Sequence, residues 1–162
     1  MYRRLTIVAL GVFLESAAGS CVQIDGGAVE VSWVVHANGR AITDCTCSDP
    51  EIASVRIDIV GNGGAIQGTK PCAGQPKCVF SCSRQTGATP FNIPETHSDE
   101  TYLIQLVAVD KNGHDLPIRA PLAPISQTVV RGQPTELEAV TLDSGCAVEC
   151  ETLNKTGVCA RP

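Results

Sequence analysis

Aromatic residues and histidines are scarce in this chain. Tryptophan occurs once, tyrosine twice, phenylalanine three times and histidine three times in 162 residues. Carbohydrate-binding surfaces use exposed aromatic rings, and general acid–base catalysis most often uses histidine. The composition therefore offers little support for a sugar-binding or a catalytic role.

The N-terminal apolar segment is too short to cross a bilayer. Residues 5–14 form an uncharged, largely apolar run of ten, whereas a spanning helix needs about 20 residues. Arg3 and Arg4 precede this run, and a stretch of small residues follows it up to Cys21. This order predicts an export signal over residues 1–20 and not a transmembrane anchor.

The segment that ends at Cys21 resembles the lipobox of bacterial lipoprotein precursors, in the letters Ala-Gly-Ser-Cys. The resemblance implies that Cys21 becomes the first residue of the mature chain, carries acyl chains and anchors it in a membrane. Val22 follows the cysteine where, in that family, an aspartate favours the inner membrane, so the outer membrane is expected. The alternative is an ordinary signal peptide cut after Ala18 or Gly19, which leaves a secreted protein.

The mature chain has the size of one domain and a mildly acidic charge. Cleavage before Cys21 removes Arg3, Arg4 and Glu15, which changes the formal charge from −5 to −6. A negative surface argues against a nucleic-acid partner and against charge-driven adhesion to anionic lipid. We expect a monomeric body without a cofactor, held at the membrane by its lipid.

The chain has no C-x-x-C pair, which argues against a zinc ribbon and a thioredoxin-like oxidoreductase. Cys21 is one of nine cysteines, so the remaining eight form an even set. In an exported chain such a set predicts four disulfides and no metal site. These eight disulfide candidates are Cys45, Cys47, Cys72, Cys78, Cys82, Cys146, Cys150 and Cys159.

Apolar and polar residues alternate with a period of two, which predicts β-strands. The expected strands lie near 29–35, 55–59, 102–108, 126–130 and 136–142. Asn38-Gly39 predicts a turn, Asn112-Gly113 a type I′ hairpin turn, and Asp49-Pro50 the start of one helical turn. The expected fold is all-β, an antiparallel β-sandwich of six or seven strands.

Several motifs along residues 29–142 resemble the immunoglobulin-like or prealbumin-like sandwiches of bacterial lipoproteins and carboxypeptidase-regulatory-type modules. They are the strand that carries Trp33, the segment 90–94 (Pro-Phe-Asn-Ile-Pro), Thr101-Tyr102, the Asn-Gly hairpin and residues 132–135 (Gly-Gln-Pro-Thr). The resemblance implies a disulfide-stabilised fold and no particular activity.

The same resemblance implies a disulfide pattern. Cys45 or Cys47 would pair with Cys82, and Cys72 with Cys78. The other member of the Cys45/Cys47 pair would share two bridges with the three C-terminal cysteines, Cys146, Cys150 and Cys159. The expected organisation is a signal peptide over 1–20, a tether over 21–27, the sandwich over 28–144 and a disulfide-tied tail over 145–162.

Catalytic and metal-binding motifs find weak support. We interpret His36, His97 and His114 as solvated residues of loops and strand ends, so no catalytic residue is assigned. Residues 110–115 resemble the oxygen-rich start of a calcium loop but lack its glutamate at the twelfth position. Residues 61–64 are rich in glycine, yet no helix follows to form a phosphate site.

We therefore expect a non-enzymatic, lipid-anchored protein of the cell envelope. Its sheet edges, or its loops 62–78 and 83–100, would contact a protein or glycan partner. The alternative is an accessory domain that binds carbohydrate or a small ligand. Trp33 and Tyr102 are expected in the core, which leaves Phe80 and Phe91 as poor sugar platforms. An envelope hydrolase or thiol enzyme is the least favoured hypothesis.

Overall fold

A computed structural model describes residues 24–42 and 44–146. The predicted signal peptide, the expected lipid-attachment residue Cys21, and the C-terminal Cys150 and Cys159 lie outside the described residues. Of Cys146, the backbone is described and the side chain is not. Within these ranges, no helix is long and apolar enough to pass through a membrane.

The described residues form ten strands arranged in two sheets, so the prediction of an all-β, two-sheet fold is confirmed. The expected count of six or seven strands is too low, because five of the ten have only two or three residues, too few to show an alternating pattern. In chain order the strands are β1 (Ala28–Ala37), β2 (Arg40–Ile42), β3 (Ser48–Asp49), β4 (Ser54–Asn62), β5 (Val79–Ser81), β6 (Thr86–Ala88), β7 (Thr101–Val109), β8 (Asp115–Gln127), β9 (Pro134–Glu136) and β10 (Val140–Cys146). The second sheet has the order β5-β4-β7-β8, and the other six strands form the first sheet.

Strand β1 is the centre of the first sheet. Its first half pairs with β6 in antiparallel and β9 in parallel orientation, and its second half pairs with β2 in antiparallel and β10 in parallel orientation. The prediction of a wholly antiparallel sandwich is therefore wrong for this sheet. After β8, the chain crosses from the second sheet to the first and runs beside β1 in the same direction.

The second sheet is antiparallel, and its alternating residues face the core as predicted. Strands β4 and β7 pair along their whole length, from Ser54 opposite Val109 to Asn62 opposite Thr101. Val55, Ile57 and Ile59 are buried, whereas the residues between them are partly exposed.

Strand β8 begins well before the strand that we expected near 126–130. It covers 13 residues, Asp115–Gln127, whereas the predicted strand covered 126–130. Pro117, Pro121 and Pro124 argue against a strand in the sequence, because proline cannot donate a hydrogen bond to a neighbouring strand. Since β8 is the edge of its sheet, it tolerates these residues.

The predicted strand over 136–142 is in fact two strands. Pro134–Glu136 pairs with the start of β1, and Val140–Cys146 pairs with its end. The first segment lies beside residues 28–30 of β1 and the second beside residues 33–37. Both segments pair in parallel with β1. A hydrophobic pattern within one segment does not indicate which strand it pairs with.

The predicted helical turn at Asp49-Pro50 is wrong, because Asp49 belongs to β3 and pairs with Gly145 of β10. A single 3₁₀ turn lies earlier, at Cys45–Cys47. The Asp44 carboxylate caps it by accepting a hydrogen bond from the Thr46 backbone N–H at 3.0 Å. The capping aspartate is therefore Asp44 and not Asp49.

The two Asn-Gly turns differ. Asn38 and Gly39 both have positive φ angles, 51° and 75°, as a type I′ turn requires. At Asn112-Gly113 only the glycine has a positive φ, 84°, so the type I′ prediction there is wrong. The Asp110 carboxylate accepts hydrogen bonds from the N–H groups of Asn112 and His114 and stabilises a longer loop.

Two disulfides join described cysteines to one another. Cys45–Cys82 joins the segment after β2 to the segment after β5 and is buried in the core. Cys72–Cys78 closes the loop between β4 and β5. Both pairings are among those expected, and Cys47 is disulfide-bonded as well. Trp33, also buried as predicted, donates from Nε1 to the Cys82 carbonyl at 3.1 Å.

Candidate functional site

The three histidines occupy separate places in the fold. His36 Nδ1 lies 3.8 Å from Asp143 Oδ1, at the end of β1. His114 Nδ1 lies 3.4 Å from Asp110 Oδ2, in the hairpin between β7 and β8. His97 precedes β7, and its backbone N–H donates to Glu100. Over residues 24–42 and 44–146, these contacts do not join a histidine, a nucleophile and a carboxylate into one catalytic unit.

The oxygen atoms of the calcium-like segment 110–115 have other partners. Hydrogen bonds from the backbone N–H groups of His114 and Asn112 lower the pKa of Asp110. A hydrogen bond from Arg56 lowers the pKa of Asp115. In the part of the chain that the structure describes, no group of three His, Cys, Asp or Glu residues could hold a metal ion.

Arg56, Asp58 and Asp115 form an ion-pair cluster on the outer face of the second sheet. Arg56 Nε lies 2.6 Å from Asp58 Oδ1, and Arg56 Nη1 lies 2.5 Å from Asp115 Oδ1. Asp115, followed by Asp58, raises the pKa of Arg56 above its ordinary value. Because the cluster links β4 to β8 across β7, we assign it a structural role.

A groove of about 440 Å³ opens on the outer face of the first sheet, where β6 and β9 flank β1. We call it the β6–β9 groove. Its charged and hydroxyl-bearing residues are Glu30, Ser32, Arg84, Thr86 and Glu136.

The β-strand period positions these groups. Because Val29, Val31 and Trp33 face the core, Glu30 and Ser32 face outward. Glu30 lies opposite Ala88 of β6 on one side and opposite Glu136 of β9 on the other. Two polar side chains of β1 therefore face the groove, and backbone pairing holds β1 on both sides.

Phe80 supports one wall of the groove and is covered by Arg84. The Arg84 guanidinium carbon lies 5.6 Å from the Phe80 ring centroid, which is the geometry of a cation–π contact. Gly87 lets β6 lie directly on the ring, since a Cβ there would be 2.6 Å from Phe80 Cδ2. Phe80 is 8% exposed, so it offers no open platform for a sugar.

A second groove of about 400 Å³ lies between β4 and the loop that Cys72–Cys78 closes. Arg56, Asp58, Lys70 and Gly74 are among the residues that line it. The β6–β9 groove touches the predicted recognition loop 83–100, and this second groove touches the loop 62–78.

Glu100 is a structural residue that the sequence analysis missed. Its carboxylate is buried and accepts hydrogen bonds from the Ala65 N–H at 2.7 Å and the His97 N–H at 3.0 Å. These backbone donors, led by His97, lower the pKa of Glu100. The residue joins the loop 62–78 to the loop 83–100, and an isolated glutamate before a strand carries no local signal of that role.

Comparisons with family models, curated proteins and solved structures find no match to this chain.

Proposed function

We propose that this protein is a lipid-anchored, non-enzymatic protein of the bacterial cell envelope that binds a partner protein through the β6–β9 groove. The observation that carries the proposal is the groove itself. It places two carboxylates and a guanidinium beside two three-residue strands on the outer face of the sheet. The edge of a sheet can accept an added strand from a partner chain, and side chains beside that edge can select the partner.

The export part of the proposal draws on two independent supports. The segment before Cys21 resembles a lipobox. Buried disulfides in the core are typical of chains that fold in an oxidising compartment. The two-sheet arrangement also supports our proposal that the domain is a variant of the immunoglobulin-like or prealbumin-like sandwich, placed at the outer membrane.

Intact-mass analysis of the protein extracted from its native membrane tests the anchor. We expect a chain that begins at Cys21, carries acyl groups and contains no free thiol. A mass without acyl groups would contradict the anchor, and free thiols among the remaining eight cysteines would contradict the disulfide assignment.

Cross-linking in native membranes, followed by mass spectrometry, tests the partner. Arg84→Glu reverses a charge in the groove, and Lys111→Glu makes the same change in the exposed hairpin before β8. We expect the first variant to lose a cross-linked protein that the second retains. Equal recovery with both variants would exclude the groove as the binding site, provided that near-ultraviolet circular dichroism shows both variants folded.

Carbohydrate binding is the competing hypothesis, and a glycan array decides between the two. The covered position of Phe80 argues against a sugar in the β6–β9 groove, because a stacking platform must be open to the sugar ring. Strong binding of a glycan that Arg84→Glu abolishes would replace the protein partner with a carbohydrate ligand.

A further inference from the structure

Three large apolar side chains are exposed at one pole of the molecule. Ile24 is 45% exposed, Phe91 41% and Val130 44%. Each lies in a different chain segment. Among the described residues, the other exposed large hydrophobics are Val79 at 37% and Leu122 at 99%, and they lie in strands β5 and β8.

Backbone hydrogen bonds bring these three segments together. Gly27 exchanges two hydrogen bonds with Ile93, which lies two residues after Phe91. On the other side, the N–H of Gly132, two residues after Val130, donates to the Gly26 carbonyl at 3.0 Å. We call the residues 24–27, 90–93 and 129–133 the N-terminal pole.

Gly26 and Gly27 are tightly packed within the N-terminal pole. A Cβ at Gly26 would collide with the Ile93 carbonyl oxygen, and a Cβ at Gly27 would lie 2.5 Å from Val129 Cγ1. Gly26 and Gly27, which the sequence analysis placed in the tether, are thus buried in the body. The packed body therefore includes Gly26 and Gly27.

The short tether places this pole next to the lipid. Only Val22 and Gln23 separate Cys21 from Ile24. Three residue steps span at most about 10 Å, because an extended chain advances about 3.3–3.6 Å per residue. Once Cys21 carries its acyl chains, the N-terminal pole cannot move far from the bilayer surface.

We propose that the N-terminal pole is a membrane-contact surface, in which Ile24, Phe91 and Val130 enter the interfacial region of the bilayer. This inference rests on the proposed lipid anchor. An aromatic side chain and two aliphatic ones suit the boundary between headgroups and acyl chains. The contact fixes how the sandwich stands on the membrane, which an acyl tether alone leaves free.

The charges at the pole favour zwitterionic lipid. Arg131 Nε lies 3.9 Å from Glu95 Oε2, and Asp25 adds an exposed carboxylate. An acidic balance gives no attraction to anionic headgroups. Apolar contact therefore supplies the affinity, and a zwitterionic headgroup is the matching chemistry.

Quenching of tryptophan fluorescence by lipids with brominated acyl chains tests the inference. The acylated protein is reconstituted in phosphatidylethanolamine–phosphatidylcholine vesicles as Phe91→Trp, Val130→Trp and the control Lys111→Trp. Lys111 lies just beyond the far end of β7, whose first residue, Thr101, is at the end next to the pole. The nine residues of β7 extend about 26 Å, at about 3.3 Å per residue, so position 111 is distant from the pole. The native Trp33 is 1% exposed and supplies a constant background.

We expect about twofold more quenching of the tryptophans at positions 91 and 130 than of the one at 111, because only the first two would reach the acyl region. Equal quenching of all three probes in acylated protein overturns the membrane contact and leaves the anchor intact. Absence of acyl groups in the intact mass overturns the anchor, and the contact with it. The two failures are therefore distinguishable.

Discussion

Gly87 is the residue with the tightest steric constraint beside the candidate groove. The Phe80 ring lies where a Cβ at position 87 would be placed, and the same ring lies 6.4 Å from the Trp33 ring, centroid to centroid. A glycine at position 87 lets β6 pass close to an aromatic side chain. The residue that requires this glycine is Phe80, seven positions earlier in the sequence.

Gly87→Ala should destabilise the fold by about 1–3 kcal/mol, the usual cost of overpacking. Urea unfolding of the purified domain measures the change. The variant Phe80→Leu, with and without Gly87→Ala, is the matched control, since a smaller side chain removes the clash. If the alanine costs the same in the Phe80→Leu background as in the native chain, the ring is not the cause.

Asp115 shows how one charged residue links stability to pH. Arg56 holds the pKa of Asp115 below its ordinary value of 3.8. A carboxylate whose folded pKa is lowered contributes stability above its unfolded pKa and loses it as the pH falls through the folded value. We therefore expect the free energy of unfolding to fall as the pH is lowered from about 5 to below 3.8.

Asp115→Asn should flatten this acid dependence and lower the stability near neutral pH. Thermal unfolding of both proteins across that pH range is the measurement. Asp25→Asn, at an exposed carboxylate before β1, is the control and should leave the curve unchanged. An unchanged slope in Asp115→Asn would show that the ion-pair cluster does not link folding to pH.

At the level of secondary structure, β8 is the most informative element. It has an interruption in its pairing with β7: Ala120 lies opposite Leu106, whereas Ile125 lies opposite Ile104. Residues 121–124 bulge from the edge, and Gln105 Nε2 donates to the Pro121 carbonyl at 2.9 Å. Bulges and prolines are devices that prevent an edge strand from pairing with another chain.

Replacement of two of these prolines should promote self-association. Pro117→Thr/Pro124→Thr restores two N–H groups and a stronger strand former in β8, so we expect a rise in molar mass with concentration. Size-exclusion chromatography with light scattering measures it. Pro76→Thr, outside any strand, is the control. A double variant that stays monomeric at all concentrations would exclude this role for the prolines.

At the scale of the whole molecule, the disulfides Cys45–Cys82 and Cys72–Cys78 make different contributions. Cys45–Cys82 joins segments that are 37 residues apart, and Cys72–Cys78 joins segments that are 6 apart. Closing a longer loop removes more entropy from the unfolded chain. The first bridge therefore constrains the fold as a whole, and the second constrains one loop.

Cys45→Ser/Cys82→Ser should cost about 4 kcal/mol and Cys72→Ser/Cys78→Ser about 2 kcal/mol, on the chain-entropy estimate. Urea unfolding under oxidising conditions gives both values. Equal losses, or a larger loss for the short loop, would mean that native packing and not loop closure sets the contribution of each bridge.

Local patterns were sufficient for part of this fold. The alternation in β1, β4 and β7 predicted which side chains face the core, because successive residues of a strand point to opposite faces whatever its partners are. The even set of cysteines without C-x-x-C spacing predicted disulfides. The lipobox-like segment that ends at Cys21 led to the expectation of a lipid anchor, which lies outside the described residues.

Long-range packing settled the rest. The parallel pairs of β1 with β9 and β10, the proline-rich edge strand and the role of Glu100 all depend on segments distant in sequence. The β6–β9 groove and the N-terminal pole arise in the same way, because each combines residues from at least three chain segments. A pattern within a few residues records the face of a strand and carries no information about which strand lies beside it, so these sites emerge only when the whole chain has folded.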